Sequence, residues 1–486
     1  MKKGFPRNRA LIALVASLGV LLALYLIFTI YFSTHFFFHT EINGIDVSCK
    51  TTKKTEELLA AEVQNYTLTL LGRNDVSDVI TAEDIGLTYE ATGDVANYLS
   101  AQNPFLWITS LFHSDVQEVA DCTTYDENAL IDRYKQLTFF DSENQKKPVN
   151  ATVAYLDGQG YYMINEERGS LINEETFFPA VRASIASLAD TLTLDTADCY
   201  VKPRITSDSK KLNKLYNKVQ KMNQTEITYT FGKKSELLNG DTIHKWIKVN
   251  KKKCKANLDR KKISAYVAKL AKKYNTRGTK RTFQASTGHT ATVYGGDYGW
   301  VINQDKEVQA LTKMIKKGKQ KNRTPEYWQK ASTFGKKDWG NTFVEINLTA
   351  QHLWFYKKGK LVVESDFVSG SVRNNTVTPQ GSYYILYRER DAILGARSNA
   401  SYRTPVDFWM PFNGGIGLHD ATWRRSFGGN IYLTNGSHGC VNLPYTAAQT
   451  IFENIETGTP VICYFDSAYQ PGDLDKKPDT KQKKKA

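Results

Sequence analysis

Residues 10–33, ALIALVASLGVLLALYLIFTIYFS, form a run of 24 residues without a single charged side chain. As a helix this run is about 36 Å long, against a hydrocarbon core of about 30 Å. The preceding MKKGFPRNR carries four positive charges and no negative one. A secretory signal has a shorter apolar region and a small-residue cleavage site, and neither is read here. Aromatic residues continue through YFSTHFFFH, as at a membrane–water interface. The expectation is a single-pass anchor in the cell membrane over residues 10–33. The charge asymmetry places residues 1–9 in the cytoplasm and the remainder outside it.

The remainder is long enough for a packed core and, at 486 residues in all, for about three domains. The formal net charge of +14 raises the question of nucleic acid, membrane surface or another polyanion. The lysines are spread along the chain, with local clusters in KVNKKKCK and KKPDTKQKKKA, and no nucleic-acid-binding motif surrounds them. They read as a solvated basic surface, and no nucleic-acid partner is expected. The six cysteines, Cys49, Cys122, Cys199, Cys254, Cys440 and Cys463, contain no C-x-x-C pair. If one is a working thiol, five remain and cannot all pair, which excludes a small disulfide framework. Finger-type zinc spacing is absent as well.

After the anchor, TEINGIDVSCKTTKKTEELLAAEVQNYTLTLLG reads as strand, turn, helix, strand. Leu58, Leu59 and Val63 share a helix face, with Thr51, Thr52 and Thr55 as candidate caps. Residues 66–87, YTLTLLGRNDVSDVITAEDIGL, have a counterpart at 227–247, ITYTFGKKSELLNGDTIHKWI. Residues 160–173 and 298–311 match around an Asn, which puts Asn165 and Asn303 in register. Two α+β repeats are expected, at 38–205 and 206–338, the first lengthened by a segment such as NPFLWITSLFHSD. From residue 340 the texture changes to alternating strands, with Val344, Ile346 and Leu348, then Leu353 and Phe355, then Leu361 and Val363 beyond a KKGK turn. Residues 340–466 are expected to form a mainly β domain with one short helix, YTAAQTIFENI. The last stretch, 467–486, has almost no apolar residues and is expected to be disordered.

Chemistry concentrates in NGSHGCVNLP, residues 435–444. A free thiol has a pKa of about 8.5 and needs a base beside it and donors for the oxyanion it creates. His419 ends an apolar glycine-rich run, GIGLH, that reads as a strand delivering an imidazole into a site. Cys440 follows 21 residues later, and the SFGGN and TNG turns between them allow the two segments to lie side by side. Gly439 lacks a Cβ, so a substrate carbonyl can approach the backbone closely. The N–H groups around Gly439 and Cys440 are candidate oxyanion donors.

The pattern His, seventeen or so residues, then Ser-His-Gly-Cys-x-Asn resembles the signature of L,D-transpeptidases with the YkuD-type catalytic domain. The resemblance runs over roughly 340–466 and includes VEINLTAQHLWFYKKGKLV, TPQGSYYI, TPVDFWMPFNGGIGLHD and GTPVICYF. The doubled α+β region resembles the peptidoglycan-binding modules that precede this domain. The family implies that Cys440 attacks the carbonyl of the third residue of a peptidoglycan tetrapeptide stem. A thioester forms as the terminal D-Ala leaves, and an amine of a second stem then attacks to give a 3→3 cross-link. It further implies His419 as proton acceptor and donor, the Asp420 carbonyl as orienter of its ring, and His438 and Gly439 on the oxyanion side. Ser437 would support the loop and Asn442 would hold the turn. No cofactor and no metal are implied, and a carbapenem-type β-lactam is the expected covalent inhibitor. Asp420 stands where many relatives have Gly or Ser.

Other readings stay open at this level. Arg424 and Trp423 are candidate substrate contacts, but Arg424 and Arg425 also read as a solvated charge pair. Trp354, Trp409 and Trp423 read as core or cleft-wall residues, and His438 as a loop brace as readily as a catalytic group. Water in place of the acceptor amine would make the same site an L,D-carboxypeptidase. A wall-binding protein with a degenerate domain is the reading from another class, and intact His419 and Cys440 argue against it. A sortase-type reading fails because T-L-x-T-C does not precede the cysteine.

Overall fold

The computed structural model describes residues 7–119, 122–395, 403–470 and 473–475. The chain divides into two compact units, one of residues 1–152 and 163–212, the other of 153–162 and 213–486.

In the first unit the apolar N-terminal run forms α1 (Arg7–Phe32). Its stretch Leu11–Phe32 is long and apolar enough to cross a membrane by length and composition. Next comes α2 (Thr52–Gln64), capped by the Thr51 hydroxyl accepting from Lys54 N–H, with Thr55, Leu59 and Val63 buried. Strands β1 (Thr67–Leu71) and β2 (Ser77–Thr81) make an antiparallel hairpin. Further on, α3 (Glu174–Ala186) returns the chain to β3 (Thr191–Thr193), which pairs with β1 in parallel. Leu68, Leu70 and Ile80 of the hairpin and Phe177, Val181 and Ile185 of α3 share one core.

The second unit repeats this plan. Helix α4 (Lys210–Asn223) leads into β4 (Glu226–Phe231) and β5 (Lys234–Leu238), again antiparallel. Helix α5 (Gln304–Lys317) then delivers β6 (Gln320–Arg323) parallel to β4. The duplicated topology agrees with the sequence similarity, but the register of its second half is corrected. Asn303 caps α5, its side chain accepting from Lys306 N–H. The residue at the start of the equivalent helix α3 is Asn173, not Asn165. The same shift is seen in the backbone, where Ile172 bridges Tyr200 and Ile302 pairs with Tyr327, both antiparallel. Asn165 and Asn173 both follow aliphatic residues, so the sequence pattern alone admits either.

The C-terminal part contains two sheets. The first has the order β9-β8-β7-β15-β10, with β7 (Phe343–Asn347), β8 (His352–Lys357), β9 (Lys360–Asp366), β10 (Gly381–Tyr384) and β15 (Pro460–Tyr464). Lys358 and Gly359, at φ 52° and 76°, close the β8–β9 hairpin in the left-handed conformation that a two-residue turn between twisted strands requires. The second sheet has the order β11-β12-β13-β14, with β11 (Glu389–Leu394), β12 (Thr404–Asn413), β13 (Ile416–Asp420) and β14 (Val441–Leu443). Helix α6 (Tyr445–Asn454) follows β14 at once. Val344, Ile346 and Phe355 of the first sheet, Phe408, Met410 and Leu418 of the second, and Ile451 of α6 form one buried cluster.

All five residues of β7 are buried, so the strict in–out alternation read from its sequence is not matched by exposure. Its second face is covered by the hairpin Arg281–Gln284 and Thr290–Val293 together with Trp339, which is fully buried. There Glu345 accepts from Ser286 N–H and Oγ, each at 2.8 Å, and from the Tyr464 hydroxyl at 2.9 Å. Arg281 and Asp338 pair in the same layer, both nearly inaccessible. The texture change near residue 340 therefore crosses a packed core and not a linker. Of the stretch expected to be disordered, residues 467–470 and 473–475 have defined structure, and the buried Asp473 carboxylate lies 3.6 Å from His289 Nε2. Residues 476–486 lie outside the described residues.

Candidate active site

The site is organised by a parallel pairing in the second sheet. Strand β14 lies beside β13 with Leu418 opposite Val441, His419 opposite Asn442 and Asp420 opposite Leu443. Cys440 is the residue immediately before this strand, so the fold carries it to the level of β13 just ahead of His419. On the other flank Trp409 of β12 is the register partner of His419. Its ring lies 5.9 Å from the imidazole and it packs in a small buried cluster with Cys440, Ala392 and Val406. Thiol and imidazole thus share one wall.

Cys440 is 9 % exposed. Its Sγ donates to the Gly415 carbonyl at 3.5 Å. Burial pushes its pKa up to about 11, and a hydrogen bond from Gly417 N–H to the sulfur offsets this in part. Gly417 is required here, since a Cβ would meet the Met410 carbonyl, Pro411 and Trp409 at 2.7 Å. The glycines of GGIG therefore bring backbone to the sulfur as well as shaping a turn.

His419 is 2 % exposed, and its Nδ1 lies 2.7 Å from the Asp420 carbonyl. A carbonyl oxygen accepts, so Nδ1 carries the proton and Nε2 is the basic nitrogen. Burial lowers the pKa of the imidazole to about 4, and the nearby Arg424 charge acts in the same direction. The resting pair is neutral thiol with neutral imidazole. The Asp420 side chain does separate work: its Oδ1 accepts from Phe408 N–H at 2.9 Å, tying β13 to β12. The side chain thus leaves the carbonyl available to the imidazole.

The loop before Cys440 is held by its own hydroxyls. Ser437 Oγ donates to the Cys440 carbonyl at 2.5 Å and accepts from Gly439 N–H at 3.0 Å. This corrects one expectation: the Gly439 N–H is engaged within the loop and is not an open oxyanion donor in this state. Gly439 has φ 120°, a conformation glycine adopts readily, and its carbonyl accepts from Thr378 Oγ1 at 2.7 Å. Thr378 Oγ1 also accepts from Gly370 N–H at 3.0 Å, and Thr376 Oγ1 donates to the Ser437 carbonyl at 2.8 Å. Gln351 in turn holds Ser369 through both amide atoms. Gln351, Ser369, Thr376 and Thr378 were not singled out from sequence. The signal available was a polar set, SGS and TVT, within the mainly β domain.

The remaining candidates separate. Asn442 is buried in β14, with its backbone exchanging hydrogen bonds with Val368. Its side-chain Oδ1 is buried without a hydrogen-bond partner among the described residues. Arg424 is half-buried, its NH1 donating to the Asn435 carbonyl at 2.9 Å, whereas Arg425 is exposed. The solvated-pair reading therefore does not hold for Arg424. Trp423 is 50 % exposed with its ring 5.9 Å from His419, so it forms an open wall beside the imidazole. Trp354 is buried in β8, away from this sheet. His438 is exposed on the loop. Cys440 is a free thiol, and among the described residues no group of His, Cys, Asp and Glu is arranged to hold a metal ion.

Comparisons with known proteins identify two family domains in the chain. Residues 341–463 match the YkuD family model, described as the L,D-transpeptidase catalytic domain. Residues 205–323 match a model described as "Putative peptidoglycan binding domain". A curated protein of Mycobacterium tuberculosis, "Probable L,D-transpeptidase 3", is 33 % identical over 93 residues, which are 18 % of this chain and 33 % of that protein. The chain thus spans about a third of the curated relative it matches. Among solved structures, a mutant of the Enterococcus faecium L,D-transpeptidase is 32 % identical with a TM-score of 0.45, covering 53 % of this chain and 100 % of that one. The catalytic domain of the E. faecium L,D-transpeptidase acylated by ertapenem is 41 % identical with a TM-score of 0.24, covering 26 % and 98 %. The chain carries a YkuD-family L,D-transpeptidase catalytic domain at 341–463, with a match to the "Putative peptidoglycan binding domain" family at 205–323 upstream of it.

Proposed function

We propose that this chain is an L,D-transpeptidase that forms 3→3 cross-links in peptidoglycan through a thioester on Cys440. The observation that carries the reading is the pairing of β13 with β14. It delivers a cysteine beside a histidine whose tautomer is fixed by the Asp420 carbonyl. Sγ of Cys440 attacks the carbonyl carbon of the third stem residue while its proton passes to Nε2 of His419. The tetrahedral oxyanion collapses, the bond to the terminal D-Ala breaks, and the departing amine takes the proton from His419. The side-chain amine of a second stem then attacks the thioester, and the thiol is regenerated as the new amide forms. The Cys440 N–H is the donor assigned to the oxyanion, since that of Gly439 is engaged by Ser437. Arg424, held beside the imidazole by Asn435, is assigned to a carboxylate of the stem peptide. The domain at 205–323 holds the enzyme on its polymeric substrate. Helix α1 anchors the chain in the cell membrane with the catalytic domain outside the cytoplasm, where that substrate lies.

The same site is acylated by carbapenem-type β-lactams, whose strained carbonyl meets the same thiol. The full chain is incubated with purified tetrapeptide muropeptides and the products are weighed by mass spectrometry. Dimers that have lost one D-Ala are expected. Trimmed monomers without dimers would assign the site to an L,D-carboxypeptidase, and unchanged muropeptides would overturn the enzymatic reading.

A further inference from the structure

The first unit carries a feature that catalysis does not use. From Val95 to Ser114 the chain has no Asp, Glu, Lys or Arg. Within it Pro104–Leu111 forms a tight 3₁₀ segment, N-capped by Asn103. Phe105, Leu106, Ile108, Leu111 and Phe112 on this segment are 46–82 % exposed. Exposed apolar side chains on a soluble surface are normally scattered singly, and a contiguous cluster marks an interaction surface.

The position of the cluster says what covers it. Trp107, the one large residue of the segment turned inward, packs on α1, with ring centroids 4.8 Å from Phe28 and 6.0 Å from Tyr25 and Phe32. Its Nε1 donates to the Tyr25 carbonyl at 3.3 Å, and the Tyr25 hydroxyl donates to the Phe105 carbonyl at 2.7 Å. The segment therefore runs alongside the last two turns of α1. Gln102 fixes it further, donating to the Phe32 and His35 carbonyls and accepting from Phe37 N–H. Phe32 and Phe36 are both buried against the unit, so no flexible linker separates α1 from it. The segment's own polar groups are satisfied locally. Thr109 and Ser110 hydroxyls donate to the Leu106 and Trp107 carbonyls at 2.7 and 2.6 Å, as an apolar surrounding demands.

We infer that residues 104–112 form a membrane-docking element that lies in the outer interface of the bilayer beside α1. The inference rests on the reading of α1 as a membrane span. A span covering Leu11–Phe32 places its final turns at the lipid interface, and the exposed face of the segment is at that depth by its contacts with residues 25–32. The element holds the first unit rigidly on the lipid surface through two contacts in place of one.

The test uses the full chain in vesicles of phosphatidylcholine and phosphatidylglycerol. The photoreactive amino acid p-benzoylphenylalanine is placed at Phe112, at Leu18 within the span, or at Val149, an exposed apolar position outside the cluster. Lipid adducts are counted by mass spectrometry after irradiation. Adducts at 18 and 112 but not at 149 are expected. Adducts at 18 alone would overturn the docking element and leave the anchor standing, whereas adducts at neither position would overturn the anchor. Adducts from 112 to protein would mean that a second copy covers this face, which also overturns the inference.

Discussion

Burial of His419 makes a quantitative prediction about acid pH. The imidazole is 2 % exposed, and desolvation holds its pKa at about 4. A base with a lowered pKa keeps its neutral, proton-accepting form as pH falls and loses it only below that value. At about pH 5.5, about 97 % of the neutral form present at about pH 7.5 remains, whereas an ordinary imidazole near 6.5 would retain about 10 %. The thiol behaves in the opposite sense, with burial raising its pKa to about 11. Attack by pre-formed thiolate would rise about tenfold per pH unit up to that value. Attack with the proton passing to His419 should be nearly flat between about pH 5.5 and 8, because the neutral pair is then the dominant state of the coupled unit. The assay is the single-turnover rate of Cys440 acylation by a carbapenem, followed by intact mass on the full chain. A half-maximal rate near pH 6.5 would show that His419 is solvated in the working enzyme. A continuous tenfold rise per unit would show that it is not the base. Either result refutes the reasoning.

Three further outcomes are expected. Cys440→Ala should abolish both the carbapenem adduct and the cross-linked product while leaving the circular dichroism spectrum unchanged; adducts mapped to Cys49 or Cys254, the two less buried thiols, would count against the site. Because the neutral buried His419 must take up a proton on unfolding in acid, wild type should lose about 3 kcal/mol of local stability relative to His419→Gln as pH falls from about 6.5 to 4, and none above 6.5. Hydrogen exchange of the Leu418 and Val441 amides reads this difference, and equal protection in the two proteins throughout the range would contradict it. Thr378→Val keeps shape but strands the Gly370 N–H and the Gly439 carbonyl, each worth about 1–3 kcal/mol when left unmade, so acylation should slow and the thermal midpoint should fall. An unaltered rate would mean that the loop does not depend on this bridge.

Much of the site was legible before any coordinates. The candidate site reads from a thiol, an imidazole and flanking glycines in a pattern that resembles the L,D-transpeptidase signature, and alternation around YKKGK and TAQHLWF announces hairpins, because side-chain periodicity is a local property. The helix at 445–454 reads for the same reason, whereas among the candidate caps Thr51, Thr52 and Thr55 the structure decides for Thr51. The apolar run at 10–33 likewise needs no partner to be a helix of membrane-crossing length. Tertiary structure decided everything that depends on who faces whom. Only packing shows that Asn173, and not Asn165, is the counterpart of Asn303, since both copies offer an Asn after aliphatics and the helix start distinguishes them. The neutrality of the Cys440 and His419 pair comes from burial under Trp409 and neighbouring strands, which no single segment encodes. The engagement of Gly439 N–H by Ser437, and of its carbonyl by Thr378 from 61 residues away, is a matter of three-dimensional reach. The second face of β7 is closed by a hairpin some sixty residues upstream, which is why a strand that reads as half-exposed is wholly buried. Sequence sets which groups are present and their local geometry; desolvation and hydrogen-bond partnership, which tune those groups, are properties of the assembled core.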